Sequence, residues 1–263
     1  MERSRTPRLV TLILGFYIFV LYAPVLLLPL FSFNDSIYMN FPLKSFTTKW
    51  YVAVIEDTSM MTALWASVKI AVISAIISTI LGFLAAKAMT RYQMRGRSVI
   101  FGFIMLPLVI PSIILGASLL SFFKQFLNIE LTLCTVGSAH VLMSIPFSML
   151  ILIARLEGFD RNLEEASYDL SMNAWQTFRR ITLPLAMPGV LASILLCFLV
   201  SFDEFLKAFF LSGNQPTLPV YMYSLLRFPQ FLPAVLALGS CILIVSVILV
   251  SIAEWLRRGQ ENP

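Results

Sequence analysis

Apolar residues are gathered along this chain into long runs separated by short polar stretches. A bilayer core about 30 Å thick takes roughly 20 mostly apolar residues per spanning helix. Six runs meet that length: Leu9 to Phe31, Met60 to Ala86, Val99 to Phe123, Leu133 to Ala154, Pro188 to Leu211 and Leu232 to Trp255. Lipid offers the backbone no partner, so each run must satisfy its own N–H and C=O groups, and a helix does that. The pattern predicts an all-α integral membrane protein. The first run follows Arg3, Arg5 and Arg8 like a signal peptide, but Pro24 and Pro29 and the lack of a small-residue cleavage site predict a retained helix. Pro107 and Pro111 predict a kink in the third run. Small residues in "LGFLAA" (Leu81 to Ala86) and "ILGAS" (Ile114 to Ser118) predict close helix packing.

The longest charged stretch, "RLEGFDRNLEEASYDLSMNAWQTFRRITLPLAMPG" from Arg155 to Gly189, interrupts this pattern. Asn162 and Glu165 have the spacing of a capping box, and Asn173 with Gln176 repeats it, which predicts two short helices broken near Ser171 and Met172. The second is expected to end before Pro184, and Pro188 to open the fifth span. Helical spacing gathers Leu163, Ala166 and Leu170 on one face with the acids opposite, and Trp175, Phe178 and Ile181 on another beside Arg179 and Arg180. Periodicity alone leaves two readings open: a rib that docks into a partner's groove, or an interfacial helix pair on lipid headgroups.

Composition strengthens the membrane reading. The 263 residues are 59% hydrophobic and 13% charged, and the mean hydropathy is +0.86, far from a soluble domain's charge content of about 25%. The net charge of +5 is mostly topology. Most of the 19 Lys and Arg lie at the N-terminus, in "KAMTRYQMRGR" (Lys87, Arg91, Arg95, Arg97), in the stretch from Arg155 (with Arg161, Arg179 and Arg180) and in the tail (Arg257, Arg258). The opposite loops hold Lys44, Lys49, Lys124 and Arg227. The positive-inside rule therefore puts both termini and the loop 155–187 in the cytoplasm, and the charge calls for no nucleic acid. The outward loops are too short for a folded receptor, so any ligand-capturing part is a separate chain. Cys134, Cys197 and Cys241 have neither disulfide nor metal spacing.

Candidate chemistry centres on "VSFDEFLKAFF". A charge at a span centre costs about 2.5–3.5 kcal/mol on insertion scales, so such residues face a cavity or a partner. Asp203 and Glu204 with Phe202, Phe205 and Phe209 suit a cationic amine; alternatively Lys207, three and four residues on, neutralises the acids. His140, the only histidine, suits a proton relay or a bond to a neighbouring helix. No phosphate-cradling Gly-x-x-x-x-Gly-Lys motif occurs, so the chain has no ATP site of the usual kind. "LSGNQ" (Leu211 to Gln215) is a chance likeness to an ATPase signature. An ion-coupled secondary transporter using Asp203, Glu204 and His140 is the rival reading, although no inverted repeat supports it. No nucleophile and base stand in an enzyme's arrangement.

Glu165, Ala166 and Ser167, then Ser171, then Ile181, Leu183 and Pro184 resemble the cytoplasmic signature loop of binding-protein-dependent ABC importer permeases. That loop reads Glu-Ala-Ala, three residues, Gly, nine residues, Ile, any residue, Leu-Pro. Ser167 and Ser171 depart from it, and a serine where the bend has glycine is poorly suited to positive φ. "YAPVLLLPLFSFN", "FTTKWY", "RYQMRGR", "LPLVIPSIILGASLL" and "RLEGFDRNLEEA" are similar to the second permease subunit of spermidine/putrescine importers.

The resemblance implies one permease domain over 1–263, of the type I importer architecture, in the bacterial inner (plasma) membrane. It implies ATPase coupling through loop 155–187 by Glu164, Glu165, Ala166, Ser167, Asp169, Ser171, Trp175, Ile181, Leu183 and Pro184. The implied partners are a homologous permease forming a heterodimer, two ATPase subunits that use ATP and Mg, and an external solute-binding protein. No cofactor is expected on this chain. The implied substrate is a polyamine or a related small amine or amino-acid-like solute, met by Phe202, Asp203, Glu204, Phe205 and Ser112. Polyamine permeases of this type carry an acid after the proline matched by Pro111; Ser112 stands there, which keeps a non-polyamine substrate as an alternative.

Overall fold

The computed structural model describes residues 8–258, with side chains from 10 to 252, so Arg3 and Arg5 of the charge reading lie outside the described residues. The elements in chain order are α1 (Arg8–Ser32), α2 (Lys49–Glu56), α3 (Thr58–Arg91), α4 (Arg97–Val109), α5 (Ser112–Ser121), α6 (Leu133–Glu157), α7 (Asn162–Asp169), α8 (Ala174–Thr177), α9 (Leu183–Phe202), α10 (Leu206–Leu211), α11 (Leu218–Leu225) and α12 (Leu232–Arg258). Among the described residues there is no β-strand, only an isolated bridge between Asn34 and Phe46. Among the described residues five helices are long and apolar enough to cross a membrane, six if the bent pair α4 and α5 is one span.

Two of the predicted spans differ from the helices observed. The run from Val99 to Phe123 is no continuous helix: α4 and the helix from Ser112 to Phe126 meet at 98°. Pro111 has no N–H to continue the ladder, and Ile110 before it is extended at ψ 127°. At 1.5 Å per residue α4 is about 20 Å long, too short to cross by itself. The expected fifth span, Pro188 to Leu211, starts earlier and breaks sooner. Helix continues from Ala174 to Phe202 and stops at Asp203, and α10 follows as a separate piece. Pro184 does not end the second short helix, because the wide turn Phe178–Thr182 precedes it and Pro184 falls in the first turn of α9, where its missing N–H is no loss. Pro188 lies inside α9 and does not open it.

The described chain divides into two compact units, one from the described part of 1–61 with 222–245 and the other from 62–221 with the described part of 246–263. In the first, α1 is apolar and exposed over most of its length. The segment after it is pinned by Asn34, whose Oδ1 accepts from the Lys44 N–H at 3.0 Å and whose carbonyl accepts from Trp50 Nε1 at 2.9 Å. Lys49 donates to Asp35 in the same segment and holds that carboxyl below its ordinary range.

The second unit is built around α3, α6 and α9. Lipid supplies no hydrophobic drive between helices, so small residues and hydroxyls bring them together. The Thr79 hydroxyl lies 3.0 Å from that of Ser193, which donates to Ser148 at 2.8 Å, so one hydroxyl chain ties all three helices. Phe83, Met89, Met149, Leu152, Leu156 and Ala186 fill the space toward one end. Ile70, Val136, Ala139, Ala208 and Leu211 form a second cluster. A Cβ on Gly82 would stand 2.2 Å from Ser148 Oγ and 2.9 Å from the Met149 nitrogen, and one on Gly116 2.8 Å from the Phe210 ring. Gly82→Val is therefore expected to cost ~1–3 kcal/mol by overpacking. The check is a lower yield of monodisperse protein in detergent than Gly15→Val, whose site is open.

Candidate coupling loop and pathway residues

The chain between α6 and α9 is organised by short-range acceptors. Asp160 Oδ1 accepts from the Asn162 backbone N–H at 3.0 Å and Oδ2 from its side-chain amide at 3.2 Å. Arg161 occupies the cap position, and its guanidinium donates to the Thr90 carbonyl. The capping box expected at Asn162 is therefore absent: Asp160 reaches the first free N–H before Asn162 can act as an acceptor. The second box forms as expected, with Asn173 Oδ1 accepting from the Gln176 N–H at 2.9 Å and Gln176 Oε1 from the Asn173 N–H at 3.0 Å.

Between the helices, Ser171 adopts φ 63°. Its N–H donates to the Tyr168 carbonyl at 2.9 Å, and the Met172 N–H donates to the Ser167 carbonyl at 3.0 Å. These are the two bonds of a Schellman ending, with Ser171 at the left-handed position that glycine usually takes. The bend is made without glycine, held by both bonds.

The acids of α7 part company. Glu165 and Asp169 are exposed, whereas Glu164 is buried. Thr182 Oγ1 donates to Glu164 Oε1 at 2.6 Å, and Arg91 Nε lies 2.8 Å from Oε2. Arg91 is the last residue of α3 and stacks on Phe159 at 4.7 Å, so one carboxylate joins the end of α3, helix α7 and the start of α9. Ser167 donates to the Glu164 carbonyl and meets the Thr177 hydroxyl, both at 2.7 Å. With Glu164 and Ser167 turned inward, the loop exposes apolar side chains among its outward acids: Leu170 is 75% and Trp175 66% exposed, and Leu163 and Ala166 are exposed beside them. Trp175 stacks on Phe178 at 5.5 Å, and Phe178 meets Phe83 of α3 edge-on at 5.6 Å. Ile181 and Leu183 are half-buried and Pro184 is exposed on the helix leading into the membrane. Sequence reasoning missed Arg91, which it counted only as topology, and Thr177 and Thr182. An arginine closing a span, at the last residue before a loop, is the signal that was available.

The pathway candidates are also divided by the structure. Glu204 Oε1 accepts from the Lys207 N–H at 3.2 Å, starting α10, and Oε2 lies 2.7 Å from Lys207 Nζ. Lys207 is fully buried, and Nζ also donates to Ser112 Oγ at 3.3 Å, at the start of α5. Glu204 and Ser112 are thus both committed to Lys207. Asp203 stays exposed at the end of α9, next to Phe202, which stacks on Phe198 at 5.8 Å. Phe205 lies 5.6 Å from Phe209. His140 Nδ1 is 2.8 Å from Ser201 Oγ, a bond between α6 and α9.

Residues 78–262 match the model of the binding-protein-dependent transport system inner membrane component. The chain belongs to this family. The spermidine/putrescine transport system permease protein PotC of Escherichia coli K12 is 34% identical to it over 92% of this chain and 91% of that protein. The putrescine permease PotI of the same organism is 36% identical over 85% of this chain and 81% of its own. A bacterial ABC transporter for import of the acidic polysaccharide alginate shares the fold, with TM-score 0.72, 16% identity, and coverage of 95% of this chain and 94% of that one. The permease is therefore an inner-membrane transport component in the fold of ABC importer permeases, and the family is one of transport subunits, not of ATPases.

Substitutions at two positions of the loop test this geometry. Ser171→Gly is expected to raise stability by up to ~1 kcal/mol and Ser171→Val to lower it by ~1–2 kcal/mol, since only glycine takes left-handed backbone freely. Glu164→Ala strands Arg91 and is expected to cost ~3–5 kcal/mol, seen as rapid proteolysis within 155–187. Equal protease resistance in the Glu164 variant overturns the role given to the pair.

Proposed function

We propose that the whole chain, 1–263, is the permease domain of an ATP-driven importer, with loop 155–187 and both termini in the cytoplasm. It pairs with a homologous, different permease chain and seats on two ATPase subunits that bind ATP and Mg. A separate external solute-binding protein delivers substrate to it. The observation that carries the coupling role is the loop: an exposed apolar crest on a base that Glu164 ties to both α3 and α9. Leu163, Ala166, Leu170 and Trp175 enter the ATPase cleft, with Glu165 and Asp169 beside them. Glu164, Ser167, Ser171, Ile181, Leu183 and Pro184 hold the shape and connect it to the spans. Closure of the ATPases shifts the crest, and the shift reaches the spans through these ties.

The substrate of this reading is a small polyamine or related amine, supported by the similarity to PotC and PotI. Asp203, exposed beside Phe202, is its carboxylate contact. A second reading, a substrate other than a polycation, is favoured by one observation: Lys207 already neutralises Glu204 and occupies Ser112.

Glu165→Lys is expected to abolish binding-protein-dependent uptake of labelled putrescine or spermidine while membrane insertion stays normal; unchanged uptake overturns the coupling role. Asp203→Asn is expected to lower amine uptake roughly tenfold at normal protein level, a charged hydrogen bond being worth about 1.5–3 kcal/mol. Glu204→Gln, by contrast, strands a buried ammonium and is expected to lower the amount of folded protein. Uptake of a neutral solute with no amine uptake supports the second reading.

A further inference from the structure

A cavity of about 570 Å³ lies where α3 ends and α4 begins, and Arg91, Arg95, Arg97 and Arg161 line it. Among the described residues one acid pairs with these four cations: Glu164, through Arg91. Arg161 is occupied with the Thr90 carbonyl, a neutral acceptor. Arg95 and Arg97 are exposed and have no ion pair among the described residues. Arg91 is nearly buried, yet its Nη2 has no hydrogen-bond partner among the described residues. Like charges around one cavity repel, and an anion with several acceptor oxygens relieves that repulsion while forming charge-assisted bonds. Guanidinium groups match a phosphate in shape as well as charge. The positive end of α4 adds to the field, since Arg97 is its first residue.

What rises from the rim identifies the kind of phosphate. Along α4, Val99 is 76% and Phe103 73% exposed, so the helix surface above the arginines is apolar. Met89 and Met94 give the cavity itself an apolar wall. A free anion has no use for such a surface; acyl chains do. Basic pockets between helices at the cytoplasmic surface suit anionic headgroups. We propose that this cavity binds the phosphate of an anionic phospholipid, whose acyl chains lie along α4. The site clamps the foot of α3 to α4 beside the Arg91–Glu164 pair, so the lipid braces the base of the coupling loop. This rests on the proposed topology, which turns the cavity toward the cytoplasmic leaflet.

The test uses the full chain in nanodiscs of phosphatidylcholine with a minor fraction of phosphatidylglycerol, followed by native mass spectrometry of the lipid retained on release. The wild type is expected to keep phosphatidylglycerol selectively. Arg95→Gln with Arg97→Gln is expected to weaken retention about thirtyfold, each basic residue being worth ~1 kcal/mol and 1.4 kcal/mol being tenfold. Lys124→Gln, another exposed basic position, is the control and is expected to retain the lipid. Both substituted residues are exposed, and a matching elution profile shows that the double variant folds. Equal retention in the double variant overturns the proposal. Displacement of the lipid by millimolar inorganic phosphate also overturns it and assigns the cavity to a free anion. Retention is read without transport, so a failed coupling or substrate reading leaves this result standing.

Discussion

Hydrocarbon gives the helices of this protein no reason to associate, and the whole arrangement depends on how α3, α6 and α9 overcome that. They do so by near contact and by hydroxyls. Gly82 lets α3 approach so closely that a single methyl group would strike Ser148 of α6. Through Ser148 and Ser193 the hydroxyl chain then reaches α9. His140 with Ser201 adds a second polar tie between α6 and α9. Each such bond is worth about 0.6 kcal/mol on average in lipid, so geometry does more here than strength: hydroxyls satisfied only at one spacing hold the helices there.

The position of the polar loop follows from that packing. Arg91 and Thr182 belong to helices whose relative placement is already set, and Glu164 bridges them. A buried carboxylate is expensive unless paired, and this one has a guanidinium and a hydroxyl. Because Glu164 and Ser167 use the inner side of α7, the leucines and Trp175 are left outside. Two buried polar groups, Glu164 and Ser167, thus share α7 with exposed apolar side chains, the reverse of where an ordinary soluble helix puts such residues.

The same physics explains the break after α9. A lysine inside an apolar segment needs an acid, a hydroxyl, or both, and Lys207 has Glu204 and Ser112. Glu204 also caps α10, so ending one helix and beginning the next meets the charge and the backbone requirements together. What remains free beside it is Asp203.

Much of the architecture was legible in the residues alone. The apolar runs had the length that a bilayer imposes, and helical spans followed because lipid leaves the backbone no other way to be satisfied. The Asn173 box was readable because its partners are three residues apart and need nothing else. Where competition or distance decided, the sequence was silent. Asp160 displaced Asn162 as the acceptor that starts α7. Pro111 did announce a kink, but not that it would be a 98° break with Ser112 beyond it bonded to a lysine from a segment far along the chain. Local spacing cannot show that Glu164 turns toward Arg91 while Glu165, next to it, faces out. Neighbouring residues on a helix point about 100° apart, and only the packed helices decide which direction is inside.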